Sequence, residues 1–209
     1  MATDTTLALE TLANIKTYLQ ITGTGEDTIL ETLIDLVSSA MNLYTGRHLL
    51  AKAHTEYYSG DGSDELILRN YPVTAVSSLY NADDNRAFDS TTQITVADDV
   101  IIVKDKGILK LWNHESAFLK GKANVKVTYT SGYGVVTNPA TVPHDLRFAC
   151  KHWVAQKYMR YQRKRFDVQS ESVGDHTVTF VNEEAPPEVK AILDKYVSNY
   201  GAPGFEYAD

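Results

Sequence analysis

The chain has 209 residues, of which 43% are hydrophobic and 22% charged, and its formal net charge is −7. A chain of this length buries roughly 70% of its unfolded surface and can fold without disulfides or metals, and its composition excludes wholesale disorder and fibrous repeats. The acidic balance argues against a dedicated duplex-DNA-binding domain, and no stretch has the roughly 18 apolar residues of a membrane span or the pattern of a secretion signal.

Two helices are predicted in the first part of the chain. Apolar side chains recur at helical spacing over residues 9–19 and again over residues 30–44, on either side of a Thr-Gly-Thr-Gly break. Gly46 follows the second run, at a position where helices commonly end. We therefore expect residues 1–48 to form a helical pair.

The apolar pattern changes to the period of β-strands in the middle of the chain. Strand-like segments cover residues 55–58, 65–69, 73–80, 100–104, 108–112 and 124–130. Short turn sequences join neighbouring segments, which predicts hairpins and an antiparallel sheet over residues 49–135. Because helical segments flank this region, the sheet is predicted to be an insertion in a helical domain rather than a second independent domain.

Further helices and a hairpin are predicted in the last third of the chain. The expected elements are a long helix over residues 143–165, a hairpin over residues 167–182, a helix over residues 187–200 and an aromatic tail over residues 201–209. The hairpin is expected to turn at Gly174 and Asp175. The fold class is therefore α+β: a single domain, residues 1–209, in which about four bundled helices carry an inserted antiparallel sheet and a late hairpin.

The long helix predicted over residues 143–165 has a strongly basic composition. It holds seven Lys or Arg residues and one acid, Asp145, so its formal charge is +6 while the rest of the chain carries −13. At helical spacing its apolar face continues as three cations, Lys157, Arg160 and Lys164. A core does not accept three uncompensated cations, so the last two turns are predicted to leave the core of the subunit. The alternative is a solvated basic face whose side-chain stems lie along the protein surface.

A basic helix that leaves the core suits two kinds of partner. One is an acidic surface of another protein, and the other is the phosphate backbone of nucleic acid, contacted without reading the base sequence. Tyrosines interleaved with the cations also suit stacking on single strands, although tyrosines at helical spacing usually pack in a core. The residues alone leave these partners open.

No arrangement of residues indicates catalysis. The six histidines are scattered and lack the spacing of a metal site, and the adjacent His144 and Asp145 diverge by roughly 100° on a helix, so they form no acid–base pair. Glycine clusters at residues 59–62 and 131–134 lack the lysine of a phosphate-binding loop. The sequence therefore predicts no enzyme activity and no cofactor.

The acidic pairs and the single cysteine also have structural explanations. The pairs at residues 83–84 and 98–99 flank predicted strands and lack the remaining ligands of a calcium loop, so no metal site is expected. Cys150 lies among apolar residues and has no second cysteine to form an internal disulfide. We expect it to be a small core residue.

Several short motifs, taken in chain order, resemble those of one protein family. They are Leu12-x-x-Ile15-Lys16-x-Tyr18-Leu19, Tyr44-Thr45-Gly46-Arg47, Arg69-x-x-Pro72-Val73, Val127-x-Tyr129-x-x-Gly132-Tyr133, Pro143-x-Asp145-Leu146-Arg147, the run from Ser170 to Val178, and Pro187-x-Val189. The run from Ser170 to Val178 is the most specific. On these motifs, which span most of the chain, the protein resembles the adaptor family of tailed bacteriophages, the head-to-tail connector proteins that form a ring beneath the portal.

The resemblance implies a non-catalytic structural subunit. It implies a homo-oligomeric ring of about a dozen copies, with the portal protein on one side and a stopper or tail-completion protein on the other. Double-stranded DNA would pass through the ring without sequence-specific binding, also during genome ejection, and no membrane would take part. The expected location is the neck of the virion, after assembly in the host cytoplasm.

Two groups of residues are candidate contacts under this resemblance. The group expected to face the portal or a neighbouring subunit comprises Lys157, Arg160, Arg163, Lys164, Phe205 and Tyr207. The group in the hairpin, expected to become ordered on assembly, comprises Ser170, Glu171, Gly174 and Asp175. Residues 82–99 match nothing in the family. The alternative function is a non-catalytic nucleic-acid-binding module that uses the basic helix.

Overall fold

The computed structural model describes most of the chain. The described residues are 8–83, 87–112, 117–134, 141–163, 170–173, 176–179 and 185–198. The chain divides into a helical unit, Met1–Thr45 with Val135–Val197, and a sheet unit, Gly46–Gly134 with Ser198–Asp209. The predicted α+β class is confirmed, and the prediction that the whole chain acts as a single domain stays a prediction.

The helices and strands follow the predicted order. The helices are α1 (Leu12–Leu19), α2 (Asp27–Thr45), α3 (Val96–Asp99), α4 (His144–Gln162) and α5 (Pro187–Leu193). The strands are β1 (Lys52–Gly60), β2 (Glu65–Ile67), β3 (Val73–Asn81), β4 (Gln93–Ile94), β5 (Val100–Val103), β6 (Ile108–Leu111), β7 (Gly121–Ser131), β8 (Ser170–Val173) and β9 (His176–Thr179). Only α3 and β4, in a segment without predicted structure, were not expected.

Helices α1 and α2 begin and end where local chemistry favours it. The Thr11 hydroxyl accepts a hydrogen bond from the backbone N–H of Asn14 at 3.3 Å and caps the start of α1. Gln20, in the left-handed conformation, ends that helix. Gly46, with a φ of +67°, follows α2 as predicted, because glycine adopts this conformation without steric cost.

The core of the helical unit is formed by the facing sides of α2 and α4. The buried side of α2 carries Leu30, Leu33, Ile34, Val37 and Met41. The buried side of α4 carries Leu146, Ala149, Cys150, Trp153, Val154 and Tyr158. Helices α1 and α5 add Ile15, Val189 and Leu193. Each large side chain buried in this way contributes about 1.5–3 kcal/mol relative to its exposed state, so this apolar packing holds the four helices together.

Helix α4 matches the predicted long helix but ends earlier. It begins at His144, one residue after the predicted start at Pro143, and ends at Gln162 rather than at residue 165. The described residues of the helix after Tyr158 bury no further side chain. Without packing energy, additional turns gain little stability in water.

Helix α5 is also shorter than predicted. A 3-10 turn over Asp194–Tyr196 follows it, in place of a helix that continues to residue 200. The turn lets the Tyr196 hydroxyl donate a hydrogen bond to the Asp145 carboxylate at 2.7 Å. Val197, predicted to face inward, is 42% exposed as a result of this change in direction.

The sheet unit contains two antiparallel sheets, where the sequence predicted one. The four-stranded sheet has the strand order β1-β7-β3-β4, and the three-stranded sheet has the order β2-β6-β5. In the first sheet, Thr55 and Ser78 both lie opposite Thr128 of the central strand. Strands β7 and β6 are each hydrogen-bonded to a strand on both sides. Neither strand can therefore pair with a strand of the other sheet.

One hydrophobic core lies between the two sheets. The four-stranded sheet contributes Tyr58, Val73, Leu79, Val125, Val127 and Tyr129, and the three-stranded sheet contributes Leu66, Leu109 and Leu111. Ile94 of β4 and Val96 of α3 pack against this core. The described part of residues 82–99 therefore belongs to the fold of the sheet unit, although its sequence showed no clear period.

The late hairpin is present as a separate two-stranded sheet. Strands β8 and β9 are antiparallel, with Val173 opposite His176. This register leaves Gly174 and Asp175 to connect the strands, and these two residues lie outside the described residues. A two-stranded hairpin gains little stability by itself in water, so a partner surface would stabilise it.

Candidate assembly surface

A buried carboxylate compensates two cations of the basic segment 143–165. The Glu10 side chain has no solvent exposure and accepts hydrogen bonds from the Arg147 guanidinium at 3.1 and 3.3 Å. The Asn14 amide donates to it at 2.7 Å, and the Lys151 ammonium lies 3.7 Å from it. Buried charges are retained only when they are paired. Arg147 and Lys151 therefore serve the internal structure of the helical unit, a pairing that the sequence pattern did not indicate.

The cations in the second half of α4 lie at the border of the core. Lys157 is half-buried, with its ammonium 5.6 Å from the ring centroid of Trp153, which is a cation–π contact. Arg160 is half-buried as well, and Arg163, directly after the helix, is exposed. Lys157 and Arg160 thus lie at the surface with their stems against the protein, as the alternative of a solvated basic face describes.

Apolar side chains are exposed beside these cations. Met159 is 53% exposed and Tyr161 is 42% exposed. Tyr158 is buried and accepts a hydrogen bond from the Gln162 amide at 2.5 Å. Burial, and next the Glu26 carboxylate, raises the pKa of Tyr158, so this side chain stays neutral. The end of α4 is therefore a mixed basic and apolar surface, a composition enriched in protein–protein interfaces.

The other predicted contact residues lie elsewhere. Ser170 and Glu171 are in β8, opposite Thr179 and Val178. Outside the described residues are Lys164, Gly174, Asp175, Phe205 and Tyr207. Of the predicted contacts, the structure thus brings together Lys157, Arg160 and Arg163.

Three of the sequence motifs meet in the sheet unit. The Arg47 guanidinium donates a hydrogen bond to the Tyr71 carbonyl at 2.6 Å and lies 4.0 Å from the centroid of the Tyr71 ring. The backbone N–H of Gly132 donates to the Pro72 carbonyl at 2.9 Å. These contacts therefore join three motifs: the one that ends at Arg47, the one that contains Pro72 and the one that contains Gly132. Their role in this unit is structural.

Sequence reasoning missed a polar cluster on β1. The Glu56 carboxylate accepts hydrogen bonds from the hydroxyls of Tyr58 and Tyr129, the latter at 2.7 Å, and from the Asn70 amide at 3.2 Å. Burial above all raises the pKa of both tyrosines, which keeps them protonated as donors. Residues 54, 56 and 58 lie on one face of a strand because side chains alternate between its two faces. This spacing is the sequence pattern that could have indicated the cluster. The cluster ties β1 to β7 and to the segment before β3.

Two histidines beside this cluster are expected to make the sheet unit sensitive to acid. His54 stacks on the Tyr129 ring with centroids 5.2 Å apart and lies 5.6 Å from the His48 ring. Burial lowers the pKa of both histidines from 6.5; Lys52 lowers it further, and Glu56 acts in the opposite direction. Since the unfolded state then binds more protons, stability is complete above pH 6.5 and falls as the pH drops through the lowered folded-state pKa.

Hydrogen exchange measures this acid sensitivity. At pH 5.5, amide protection in β1 and β7 should be lower than at pH 7.5 in the wild type, and the drop should be smaller in His54→Phe, which keeps the ring stacking. The intrinsic exchange rate of an amide changes with pH but is the same in both proteins at a given pH, so it cancels when the two proteins are compared at each pH. His144→Gln, at an exposed position of α4, is the control and should leave the drop unchanged. An equal drop in wild type and His54→Phe would exclude His54 as the cause.

The single thiol is expected to be inert in the folded protein. Cys150 is fully buried as predicted, with its Sγ atom 4.0 Å from the Ser38 hydroxyl. Burial raises the pKa of this thiol to about 12, so almost no thiolate exists at neutral pH. A disulfide reagent should therefore label Cys150 only as fast as the helical unit opens, with full labelling in urea. Rapid labelling of the native protein would contradict this burial.

A lysine and three aromatic rings anchor the segment before β4. The Lys126 ammonium of β7 lies 5.6–6.0 Å from the ring centroids of Tyr57, Tyr80 and Phe88. Phe88 also contacts the Tyr57 ring, with centroids 5.6 Å apart. These cation–π and ring contacts fix Phe88 on the outer face of the four-stranded sheet. They account for an aromatic residue in a segment that matched no family motif.

The described part of the chain contains neither a cluster of metal ligands nor a helix that could span a membrane. Among these residues, no group of three His, Cys, Asp or Glu side chains is placed to hold a metal ion. None of the helices described above is long and apolar enough to cross a membrane.

Solved structures of gene transfer agent particles contain chains with the same fold. A chain in the neck of an empty GTA particle, computed with C6 symmetry, has a TM-score of 0.59 and 16% identity, covering 90% of this chain and 88% of that chain. A chain in the virion of a native particle has a TM-score of 0.59 and 18% identity, covering 95% and 93%. A chain in the neck of a native particle, computed with C12 symmetry, has a TM-score of 0.58 and 17% identity, covering 95% and 92%.

The protein can also be assigned to a family. A family model described as "Head completion protein" matches residues 8–198, and the chain therefore belongs to the head completion protein family. The resemblance to head-to-tail connector proteins is confirmed at the level of the family. The family match thus assigns the chain to the head completion proteins, and the solved structures show the fold that it shares. No curated protein matches the chain.

Proposed function

We propose that this protein is an adaptor subunit of the virion neck. About a dozen copies form a ring that joins the portal of the head to a stopper or tail-completion protein. The observation that carries the proposal is the family match over residues 8–198, together with the fold shared with chains of GTA necks computed with C6 and C12 symmetry. The subunit assembles in the host cytoplasm and catalyses no reaction.

The charge distribution supports a ring through which double-stranded DNA moves without being held. The chain carries a net charge of −7, and two of the cations in its basic segment, Arg147 and Lys151, are engaged by Glu10. Tight DNA binding requires many phosphate contacts from lysine and arginine side chains. A ring of acidic subunits therefore lets the genome pass during packaging and ejection, and it needs no sequence-specific contact.

The end of α4 and two further segments supply the contacts of the ring in this proposal. Lys157, Arg160, Arg163 and Lys164 approach an acidic surface of the portal or of a neighbouring subunit. Phe205 and Tyr207 of the C-terminal tail act as anchors in the same interface. The hairpin with Ser170, Glu171, Gly174 and Asp175 becomes ordered on assembly, because a two-stranded hairpin needs a partner for its stability.

Electron microscopy of the chain mixed with purified portal rings tests the proposal. We expect a second ring stacked on the portal for the wild type. Reversing the charges at Lys157, Arg160 and Lys164 should abolish stacking while the circular dichroism spectrum and melting temperature stay near those of the wild type. Stacking by this folded variant would show that the basic end of α4 is not the docking contact.

The same preparation distinguishes the alternative function. The adaptor proposal expects weak binding of duplex DNA by the free chain, with little change between low and high salt. Tight binding that weakens steeply with salt, combined with no stacking on portal rings, would overturn the proposal in favour of a nucleic-acid-binding module.

A further inference from the structure

Helix α2 has a second apolar face, which the described residues of the chain leave largely exposed. Leu36 is 53% exposed and Leu43 is 85% exposed, although both lie in a long, regular helix. Ile29, half-buried, precedes Leu36 by seven residues, just as Leu36 precedes Leu43. Residues seven apart lie on one line along a helix. These three side chains therefore form a straight apolar line.

The residues that lie on this line between the three apolar ones are small and uncharged. Thr32 and Ser39 lie on the same line and are exposed, and the Thr32 hydroxyl is bound to the Thr28 carbonyl at 2.9 Å. We call the line of Ile29, Thr32, Leu36, Ser39 and Leu43 the outer stripe of α2. Isolated exposed apolar residues are normal on protein surfaces. A line of three apolar residues over four turns, one half-buried and two exposed, with no charged residue on the line, is the pattern of a helix–helix contact.

The outer stripe lies opposite the buried side of the same helix. The core-facing residues Leu30, Ile34 and Met41 point roughly half a turn away from Leu36 and Leu43 at 100° per residue. Packing of the helical unit alone therefore explains one apolar side of α2 and leaves the other side without a role. Leu43 is nearly as exposed as in an unfolded chain, so it contributes little to the folding of its own subunit.

We infer that the outer stripe of α2 is the surface through which one copy of this chain packs against the next copy in the ring. The inference rests on the proposed ring. A cyclic ring joins head to tail, so each subunit must offer two different surfaces that fit each other. Among the described residues of the helical unit, the end of α4, with exposed Met159 and Tyr161, also presents an apolar surface on a long helix.

The charges of the two surfaces are complementary. Helix α2 contains the acids Asp27, Glu31 and Asp35 and no lysine or arginine; Asp27 is paired with Lys16 at 2.6 Å, and Asp35 lies nearest to the outer stripe at 100° per residue. The end of α4 carries Arg160 and Arg163 beside its apolar side chains. Opposite charges around an apolar contact favour the correct pairing and orientation of two surfaces. An acidic helix repels DNA, which argues against the genome as the occupant of the stripe.

A substitution of glutamate for Leu43 tests the stripe. Leu43→Glu should fold like the wild type, because this side chain is almost fully exposed, yet ring formation on the portal should be lost and self-association of the free chain should weaken at least tenfold. Ile101→Glu is the matched control, an exposed apolar residue in the sheet unit, and should still form rings. Rings of normal stoichiometry from Leu43→Glu would overturn the inference and leave the proposed function intact.

Photo-crosslinking identifies the surface that the stripe contacts. A photoreactive amino acid replaces Leu43 in a mixture of ¹⁴N and ¹⁵N chains, so that crosslinks between copies carry both isotopes. We expect mixed-isotope crosslinks to the peptide that contains Met159 and Tyr161. Crosslinks within one copy only, or to the portal only, would overturn the inference. Mixed-isotope crosslinks without any ring on the portal would instead retain the contact between copies and overturn the proposed function.

Discussion

Replacing Glu10 by glutamine is expected to lower the free energy of unfolding of the helical unit by about 3–5 kcal/mol, because it leaves Arg147 and Lys151 without their buried anionic partner. The Glu10 carboxylate is fully buried and accepts two hydrogen bonds from Arg147, at 3.1 and 3.3 Å. Glutamine keeps the size of the side chain, so the loss reports the charge rather than a cavity.

Tryptophan fluorescence measures this loss in the helical unit alone. Trp153 is buried in the helical core, whereas Trp112 of the sheet unit is 67% exposed, so Trp112→Phe gives a background in which Trp153 is the single reporter. Urea unfolding of Glu10→Gln in this background gives the free energy.

An exposed glutamate beside a histidine provides the control for Glu10. Glu188 is 74% exposed and lies 3.1 Å from His152, so Glu188→Gln should cost less than about 1 kcal/mol. If Glu10→Gln cost no more than this surface control, the cations would not depend on Glu10, and their assignment to the internal structure would be wrong.

Replacing Gly132 by alanine is expected to destabilise the sheet unit by more than about 3 kcal/mol, since backbone strain and a steric clash act at the same position. Gly132 has a φ of +115°, and a Cβ atom there would lie 2.3 Å from the Leu50 carbonyl oxygen and 2.6 Å from the Ala51 nitrogen. Both are backbone atoms, so no side-chain rotation relieves the contact. The N–H of Gly132 also binds the Pro72 carbonyl, so its displacement disturbs the junction of the three motifs.

Hydrogen exchange of the β1 and β7 peptides measures this effect. We expect amide protection there to fall by more than about 150-fold in Gly132→Ala, with the peptides of α2 and α4 unchanged. Gly23→Ala, read in the peptides of α1 and α2, is the control, because Gly23 has a φ of +96° but no atom within 4 Å of a Cβ, so it isolates the conformational strain of about 1–2 kcal/mol. If protection falls by no more than this conformational strain predicts, the backbone of residues 50–51 moves away from the added Cβ atom and the steric clash is absent.

The sequence alone was sufficient to predict those features of the fold that depend on residues close together in the chain. The 3.6-residue and two-residue periods of apolar side chains predicted α2, α4 and the strands of the inserted segment, since these periods follow from backbone geometry. Gly46 and Pro143 placed helix boundaries to within one residue because their allowed backbone angles are intrinsic to the residue. The segment before β4 was missed because its order depends on Phe88 and the distant Lys126.

The candidate site was predicted only in part for the same reason. Helical spacing indicated that the apolar face of α4 continues as Lys157 and Arg160, and both do lie at the border of the core. The outer stripe of α2 was not identified, because spacing shows two apolar sides of a helix but not which side the subunit covers. Burial separates them, with Ile34 fully buried and Leu43 85% exposed.

By itself, the sequence determined the order and type of the elements, the α+β class and the resemblance to head-to-tail connectors, because these features are encoded locally or in motifs read in chain order. Only the tertiary structure decided which charges belong inside the molecule. Glu10 and Arg147 are 137 positions apart, and no spacing rule relates them. Their pairing arises because packing of the helices brings the two charges together where water is excluded, and an unpaired charge there would cost several kcal/mol.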